Sequence, residues 1–268
     1  MNALLDATLA AAKAEDRAAL IGYLPAGFPT IAGAEHTVRA LIDGGCDIVE
    51  IGLPHSDPVL DGPTIQTADD IALRNGIRTS DVLATVRAVT AAHPTVPVLV
   101  MTYWNPVDRY GAARFAADLA AAGGAGCILP DLPVEEAGPW LAAAEQHGLA
   151  TVFVVAPSSR DERLATITAH GTGFVYAAAV MGVTGTRSQV GELAEDLVKR
   201  TRATTDTPVC VGLGVSTAAQ AAEVAAFADG VIVGSAFVQR LLDAPTEEAG
   251  YAAVRELAAE LAKGVRSR

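Results

Sequence analysis

The stretch PVCVGLGVSTAAQAAEVAAFADGVIVGSAFVQRLL (208–242) holds two copies of one pattern. A short apolar run, PVCVG (208–212), is followed by a glycine-containing turn and an Ala-rich amphipathic segment. A second run, DGVIVG (229–234), then leads into the short helix-like SAFVQRLL. The apolar runs are continuous rather than alternating, which marks strands buried on both faces, as in parallel sheets. Working outward, the same alternation fills the chain. Further strand runs are LIGYL (20–24), DIVEIG (47–52), PVLVMTY (97–103), GCILP (126–130), ATVFVV (150–155) and GFVYAA (173–178).

Helix patterns are predicted at about 31–44, 63–92, 111–122, 134–147, 160–170, 189–203, 216–228 and 247–264, with Ser159 and Ser216 as expected N-caps. Eight strands alternating with eight helices predict a parallel sheet with helical crossovers. The spacing of roughly thirty residues per unit, with no long linker, favours closure into one α/β domain over residues 1–268, a (β/α)8 TIM barrel. An extra N-terminal helix and a short helix after the eighth strand complete the expectation. An open doubly wound sheet is the alternative, but the turn after the first strand reads GYLPAGFP and carries no G-x-G-x-x-G.

The totals narrow the function. Of 268 residues 51% are hydrophobic and 19% charged, enough apolar material for a large core and too much for a disordered chain. A net charge of −12 argues against nucleic acid, and any anionic ligand would have to be held locally by main-chain N–H groups. No apolar run approaches the ~18 residues needed to cross a bilayer. The N-terminus reads as an amphipathic helix rather than a signal peptide. Cys46, Cys127 and Cys210 sit in or beside apolar runs, and three buried thiols suit a reducing compartment; the expected location is the cytoplasm.

A barrel gathers its chemistry at the C-terminal ends of the strands. In DIVEIG, Ile48, Glu50 and Gly52 share one face, so Glu50 is expected to point inward near the catalytic mouth. Desolvation there would raise its pKa into the range useful for proton transfer. The bland alternative is a structural carboxylate satisfied by a nearby hydroxyl or amide. Asp61, before Gly62 and Pro63, reads on local pattern as an N-cap or turn residue, and Asp131 in ILPDLP as a turn residue. Three carboxylates at neighbouring strand ends nonetheless form a candidate acid–base cluster, and Tyr176 is a candidate pocket wall. GLGVS (212–216), GSAF (234–237) and GVTG (182–185) follow the last three strands, where barrels often bind phosphate through main-chain N–H groups and a short extra helix.

Absences narrow the mechanism further. Lys13, Lys199 and Lys263 lie in helical stretches away from strand ends, which leaves no Schiff-base nucleophile. The five histidines are scattered, so no metal site is expected.

These residues together resemble one family, the alpha subunit of tryptophan synthase. The resemblance is carried by VEIGLPHSDPVLDGPTIQ (49–66), PAGFP (25–29), MTYWNP (101–106), PDLPVEE (130–136), FVY (174–176), GVTG, GLGVS and GSAFV (234–238), spread in order over most of the chain. It implies cleavage of indole-3-glycerol phosphate to indole and glyceraldehyde 3-phosphate, with Glu50 and Asp61 as the catalytic acids. It also implies substrate contacts at Tyr23, Tyr103, Asp131, Tyr176 and Thr184, and phosphate contacts at Gly185, Gly214, Gly234 and Ser235. Asp57, Pro58 and Asn105 match positions facing a beta subunit in an alpha2-beta2 tetramer. No cofactor is implied for this chain; pyridoxal phosphate is expected only in that partner. The sequence departs from the family pattern at His55, usually aromatic, at Leu60, usually smaller, and in the lid AAAVMGVTG (177–185), which lacks a Ser-Arg before GVTG. A free-standing lyase and an inactive allosteric activator are the rival readings. A phosphosugar isomerase or epimerase barrel is disfavoured, because it needs a metal or a different acid–base pair.

Overall fold

Strands this apolar must be covered on both sides, and the chain covers them with amphipathic crossovers. The computed structural model describes residues 2–179 and 187–267, the side chains of 187–190 excepted. Helix α1 (Ala3–Ala14) leads into β1 (Ala19–Pro25), α2 (Ile31–Asp43) and β2 (Ile48–Gly52). Then come α3 (Pro63–Arg74), α4 (Thr79–Ala92), β3 (Val98–Met101), α5 (Trp104–Tyr110), α6 (Ala112–Ala121) and β4 (Gly126–Ile128). A 3-10 turn at Val134–Glu136 precedes α7 (Gly138–Gln146), β5 (Ala150–Val152), β6 (Val154–Val155), α8 (Asp161–Thr168), β7 (Val175–Ala178) and α9 (Arg187–Arg202). The last elements are β8 (Val209–Gly212), α10 (Ala218–Ala225), β9 (Gly230–Val233), α11 (Ser235–Leu242) and α12 (Glu247–Val265).

The nine segments pair in parallel in the order β5-β4-β3-β2-β1-β9-β8-β7-β6. β5 and β6 are consecutive pieces of the predicted fifth strand, parted at Phe153, so the two ends of the ladder meet within one run of chain. Phe153 O accepts from Tyr176 N (3.1 Å) while Val152 O accepts from Leu129 N (3.4 Å). The ring is the expected (β/α)8 barrel, with α1 and α11 as the extra helices.

Two apolar layers follow from the period-2 strands. One lies between sheet and helices and includes Val49, Ile51, Val98, Val100, Val209 and Val211. The other fills the barrel with Ile21, Ile48, Leu99, Ile128, Val152, Phe174, Cys210 and Ile232. Leu5, Leu9 and Ala12 of α1 belong to this inner set, so α1 plugs the N-terminal mouth. Each leucine buried there contributes about 2 kcal/mol. Below the sheet, Arg17 forks onto Asp47 (2.8 and 2.9 Å), and Asp47 also accepts from Leu20 N (2.8 Å), tying the end of α1 to the starts of β1 and β2.

Several local expectations shift. The predicted helix at 63–92 is two helices, broken where Gly76 takes φ +80. α5 is an additional helix. The cap of α10 is Thr217, whose side chain accepts from Gln220 N, rather than Ser216. The N-cap of α8 is Arg160; the Ser159 hydroxyl instead accepts from Ala156 N.

Candidate active site

The register of β1 on β2 pairs Tyr23 with Glu50, and both point into the barrel. Glu50 is 1% exposed, and neither carboxylate oxygen has a hydrogen-bond partner. Burial alone pushes its pKa up to about 8, because no donor or cation offsets the loss of water. The structural alternative required such a partner, and none is present among the described residues. Tyr23 lies over Gly52, the next inward position after Glu50. A Cβ on Gly52 would stand 2.2 Å from the Tyr23 hydroxyl, so only glycine lets the ring pass there. Tyr176 makes the same use of Gly212, where a Cβ would meet its hydroxyl at 2.6 Å. Burial raises the pKa of both tyrosines, and the charges of Glu50 and Asp61 raise them further.

Above these rings opens a cavity of about 580 Å³. Tyr23, Met101, Pro130, Val154, Tyr176 and Ile232 line its barrel side, while Asp61, Thr64 and Ile65 line one wall. The opposite wall is Gly212–Ser216 and Gly234–Ala236, with Gln239 at the rim. Glu50 is not among the lining residues, though its register partner Tyr23 is. Among the described residues no lysine or arginine lines this cavity.

Asp61 stands in the loop between β2 and α3. It does not cap α3, whose N-cap is Gly62 with Pro63 at the first helical position. Instead Asp61 Oδ2 accepts from the Tyr103 hydroxyl (2.8 Å), which in turn accepts from Leu60 N (2.9 Å). The Gln66 amide donates to Asp61 O (2.7 Å), and the His55 ring stacks on Tyr103 at 4.8 Å. Partial burial raises the Asp61 pKa, opposed by the Tyr103 hydrogen bond and the His55 charge. Glu50 and Asp61 are thus two carboxyls in unlike settings, one dry and unpartnered, the other half-buried and held by a donor.

At the other wall, the main chain supplies the donors. α11 begins at Ser235, and Gly234 O already accepts from Phe237 N and Val238 N (2.9 and 3.1 Å). The Ser235 and Ala236 N–H groups precede the first intrahelical bond and carry the positive end of the helix. Gly214 reaches the cavity with φ +67, a conformation an L side chain resists. Such a wall suits a phosphate in a site without basic side chains.

The structure brings together Glu50, Asp61, Tyr23, Tyr103, Tyr176, Gly214, Gly234 and Ser235 around one mouth. Asp131 is exposed and does not line the cavity; its carboxylate accepts from Trp104 N (2.8 Å) at the start of α5. Asp57 and Asn105 are exposed and Pro58 half-buried on the outer rim, beside Val59, which is 81% exposed. Thr184 and Gly185, with the rest of GVTG, lie outside the described residues. The three cysteines are buried and free, small core residues as expected. Sequence reasoning missed Thr64 and Gln239, hydrogen-bonded across the rim (3.5 Å), and Asp69, a buried acid on α3.

Comparison with known proteins gives a consistent result. The family model described as tryptophan synthase alpha chain matches residues 9–266. The tryptophan synthase alpha chain of Streptomyces coelicolor is 73% identical over 263 residues, covering 98% of this chain and 97% of its own; that of Thermobifida fusca is 58% identical, covering 97% and 96%. Among solved structures, tryptophan synthase from M. tuberculosis in its aminoacrylate-bound form superposes with a TM-score of 0.89 at 49% identity, covering 98% of this chain and 99% of that one. Tryptophan synthase subunit alpha from Legionella pneumophila gives 0.90 at 33% identity, covering 99% and 98%.

Proposed function

The chain belongs to the tryptophan synthase alpha chain family, and from that premise we propose that Glu50 and Asp61 are the residues that carry its reaction. That reaction is the lyase cleavage of indole-3-glycerol phosphate to indole and glyceraldehyde 3-phosphate, with indole passed to a beta subunit. The observation that carries the residue assignment is the unpartnered, buried carboxyl of Glu50 on the inward face of β2, beside the cavity residue Tyr23, with its pKa raised to about 8.

A protonated Glu50 delivers its proton to indole C3, and the ring becomes a cation that accepts electrons. The Glu50 carboxylate so formed takes the proton of the glycerol hydroxyl next to the ring. The C–C bond between glycerol and C3 then breaks, its electron pair returns to the ring, and the hydroxyl carbon becomes the aldehyde. One proton is given and one recovered, so Glu50 ends as it began. Asp61, whose carboxylate form the Tyr103 hydroxyl favours against its burial, accepts from the indole N–H as positive charge grows there. The amides at Gly214, Gly234 and Ser235 hold the phosphate, and Tyr23 and Tyr176 enclose the indole. Thr184 and Gly185 are assigned to the same site on sequence alone.

The beta subunit is the partner of this family. The finer reading is an alpha2-beta2 tetramer in the cytoplasm that meets the partner through Asp57, Pro58 and Asn105, with pyridoxal phosphate confined to the partner. No described helix is long and apolar enough to cross a membrane.

The test is indole release from indole-3-glycerol phosphate by wild type, Glu50→Gln and Asp61→Asn, with and without a beta subunit. Weak activity alone, strong stimulation by the partner and a loss of about 10²–10⁴-fold in each variant are expected. Full activity in Glu50→Gln overturns the assignment. Equal activity with and without the partner identifies a free-standing lyase, and no activity in either state identifies an activator only.

A further inference from the structure

Behind Asp61 lies a carboxyl that the reaction as described leaves unused. Asp69, on the inner face of α3, is 3% exposed, and its Oδ1 has no hydrogen-bond partner. It faces a cavity of about 10 Å³ that it shares with Asp61, Tyr23, Thr102 and Tyr103, room for one water among polar groups. Around it stand Asp61 and His55 from the 53–62 loop and Tyr23 from β1, with Glu50 of β2 beside Tyr23 in register. Tyr103 at the start of α5 and Asp131 beside it complete the surroundings. Asp70 and Arg74 on the same helix pair with each other on its outer face. Among the described residues no lysine or arginine lines the small cavity.

Two carboxyls sharing one small, largely desolvated space disfavour each other's ionisation, which favours one proton held between them. The environment decides which keeps it. Asp61 is half-buried and accepts from the Tyr103 hydroxyl, while Asp69 is almost fully buried and has only the main-chain N–H of His55 directed to it. We propose that Asp69 is a positioning residue: it holds the proton of the Asp61–Asp69 pair, and so keeps Asp61 the ionised member, aimed at the substrate. Burial and the Asp61 charge push the Asp69 pKa up to about 7, in keeping with that division. The protonated Asp69 donates into the shared cavity, directly or through a water, and its His55 contact fixes the loop that carries Asp61. Above its pKa the donor is lost, and repulsion turns Asp61 away from the indole N–H. The inference rests on Asp61 being the acid that meets the indole.

The experiment compares kcat/KM for indole release against pH in wild type, Asp69→Asn and Asp69→Leu. The asparagine keeps a donor at every pH. The ratio of its profile to that of wild type cancels Glu50 and every other shared group. That ratio is expected to be flat below about pH 6 and to rise several-fold through about pH 7. Asp69→Leu has neither donor nor tether, and is expected to lose roughly tenfold or more in kcat at all pH values, within the ~10²-fold that a displacement of about 1 Å costs. A carbon-13 NMR titration adds a reading independent of turnover. The Asp69 carboxyl should titrate near 7, and lower in Asp61→Asn. A flat ratio, a leucine variant as active as the asparagine variant, or an Asp69 midpoint unmoved by Asp61→Asn overturns the proposal. Full activity in Asp61→Asn sinks the parent assignment instead, so the two failures are told apart.

Discussion

Replacing Glu50 by glutamine should stabilise the protein while removing its activity, and the gain should grow with pH. The carboxyl is buried without a partner, and its pKa rises from 4.5 to about 8 on folding. At about 1.4 kcal/mol per pH unit, that rise corresponds to about 5 kcal/mol once the group is ionised in both states. The sign follows from proton counting: between these two pKa values the folded chain binds more protons than the unfolded one, so folding stability falls as pH rises. The destabilisation is small below pH 4.5, reaches about 3 kcal/mol at pH 7 and is complete above the folded-state pKa. Glutamine has nearly the same shape and no charge to desolvate. Urea unfolding of both proteins at pH 5 and pH 9 should show the difference in unfolding free energy moving toward the variant by about 4 kcal/mol. Fixed packing effects drop out of that comparison. If the two proteins change in parallel with pH, Glu50 is not a desolvated acid, and the proton-shuttle assignment loses its physical basis.

Tyr103→Phe removes the hydroxyl that joins Asp61 to Leu60 N, so kcat should fall by about tenfold with a smaller change in KM; unchanged kinetics would show that Asp61 holds its place without it. Gly52→Ala sets a methyl 2.2 Å from the Tyr23 hydroxyl, while Gly234 hems the same ring from the other side. It should cost about 1–3 kcal/mol in thermal or urea unfolding and most of the activity. Part of the stability should return in Gly52→Ala/Tyr23→Phe, which deletes the clashing oxygen; no recovery would place the strain elsewhere. Asp47→Ala takes from Arg17 its two-pronged partner, leaving it Glu15 and the Ala18 carbonyl, and leaves Leu20 N without its acceptor beneath the barrel. A loss of about 1–3 kcal/mol in urea unfolding is expected, with kcat near wild type because the pair lies at the end away from the cavity.

The barrel was legible because parallel strands leave an unmistakable trace, continuous apolar runs at even spacing. What stayed hidden depended on contacts distant in sequence. The break at Phe153 is set by where the ring closes between β4 and β7, which no local pattern encodes. α5 was missed because Trp-Asn-Pro reads as a turn, although proline is tolerated in a first helical turn. Ser216 and Thr217 are both fair caps, and only the backbone geometry selects Thr217. In the site, Glu50 could be aimed by period 2, but the emptiness around it could not be read. The Tyr103 partner of Asp61 is 42 residues away. Asp69 and Asp70 are adjacent acids on one helix, and nothing in their own sequence says which faces inward.

The placement of Tyr23 shows how a chain of net charge −12 would host a phosphate beside the two acids proposed for its reaction. Tyr23 stands on β1, between β2 with Glu50 and β9, which runs on to Gly234 and Ser235. Its ring presses on Gly52 on one side and approaches Gly234 on the other, so an apolar face separates the carboxyl from the amides that would hold the dianion. Glu50, paired with Tyr23 in register, has its pKa raised to about 8, so in the proposed reaction it would meet the substrate protonated at neutral pH and ionise on giving up its proton. Asp61, held by the Tyr103 hydroxyl in the loop before α3, is the acid that the proposed reaction sets against the indole N–H. Among the described residues the donors that would meet a dianion are main-chain amides. Burial favours the uncharged form of Glu50, and the proposed reaction sets the hydrogen-bonded Asp61 where positive charge would appear.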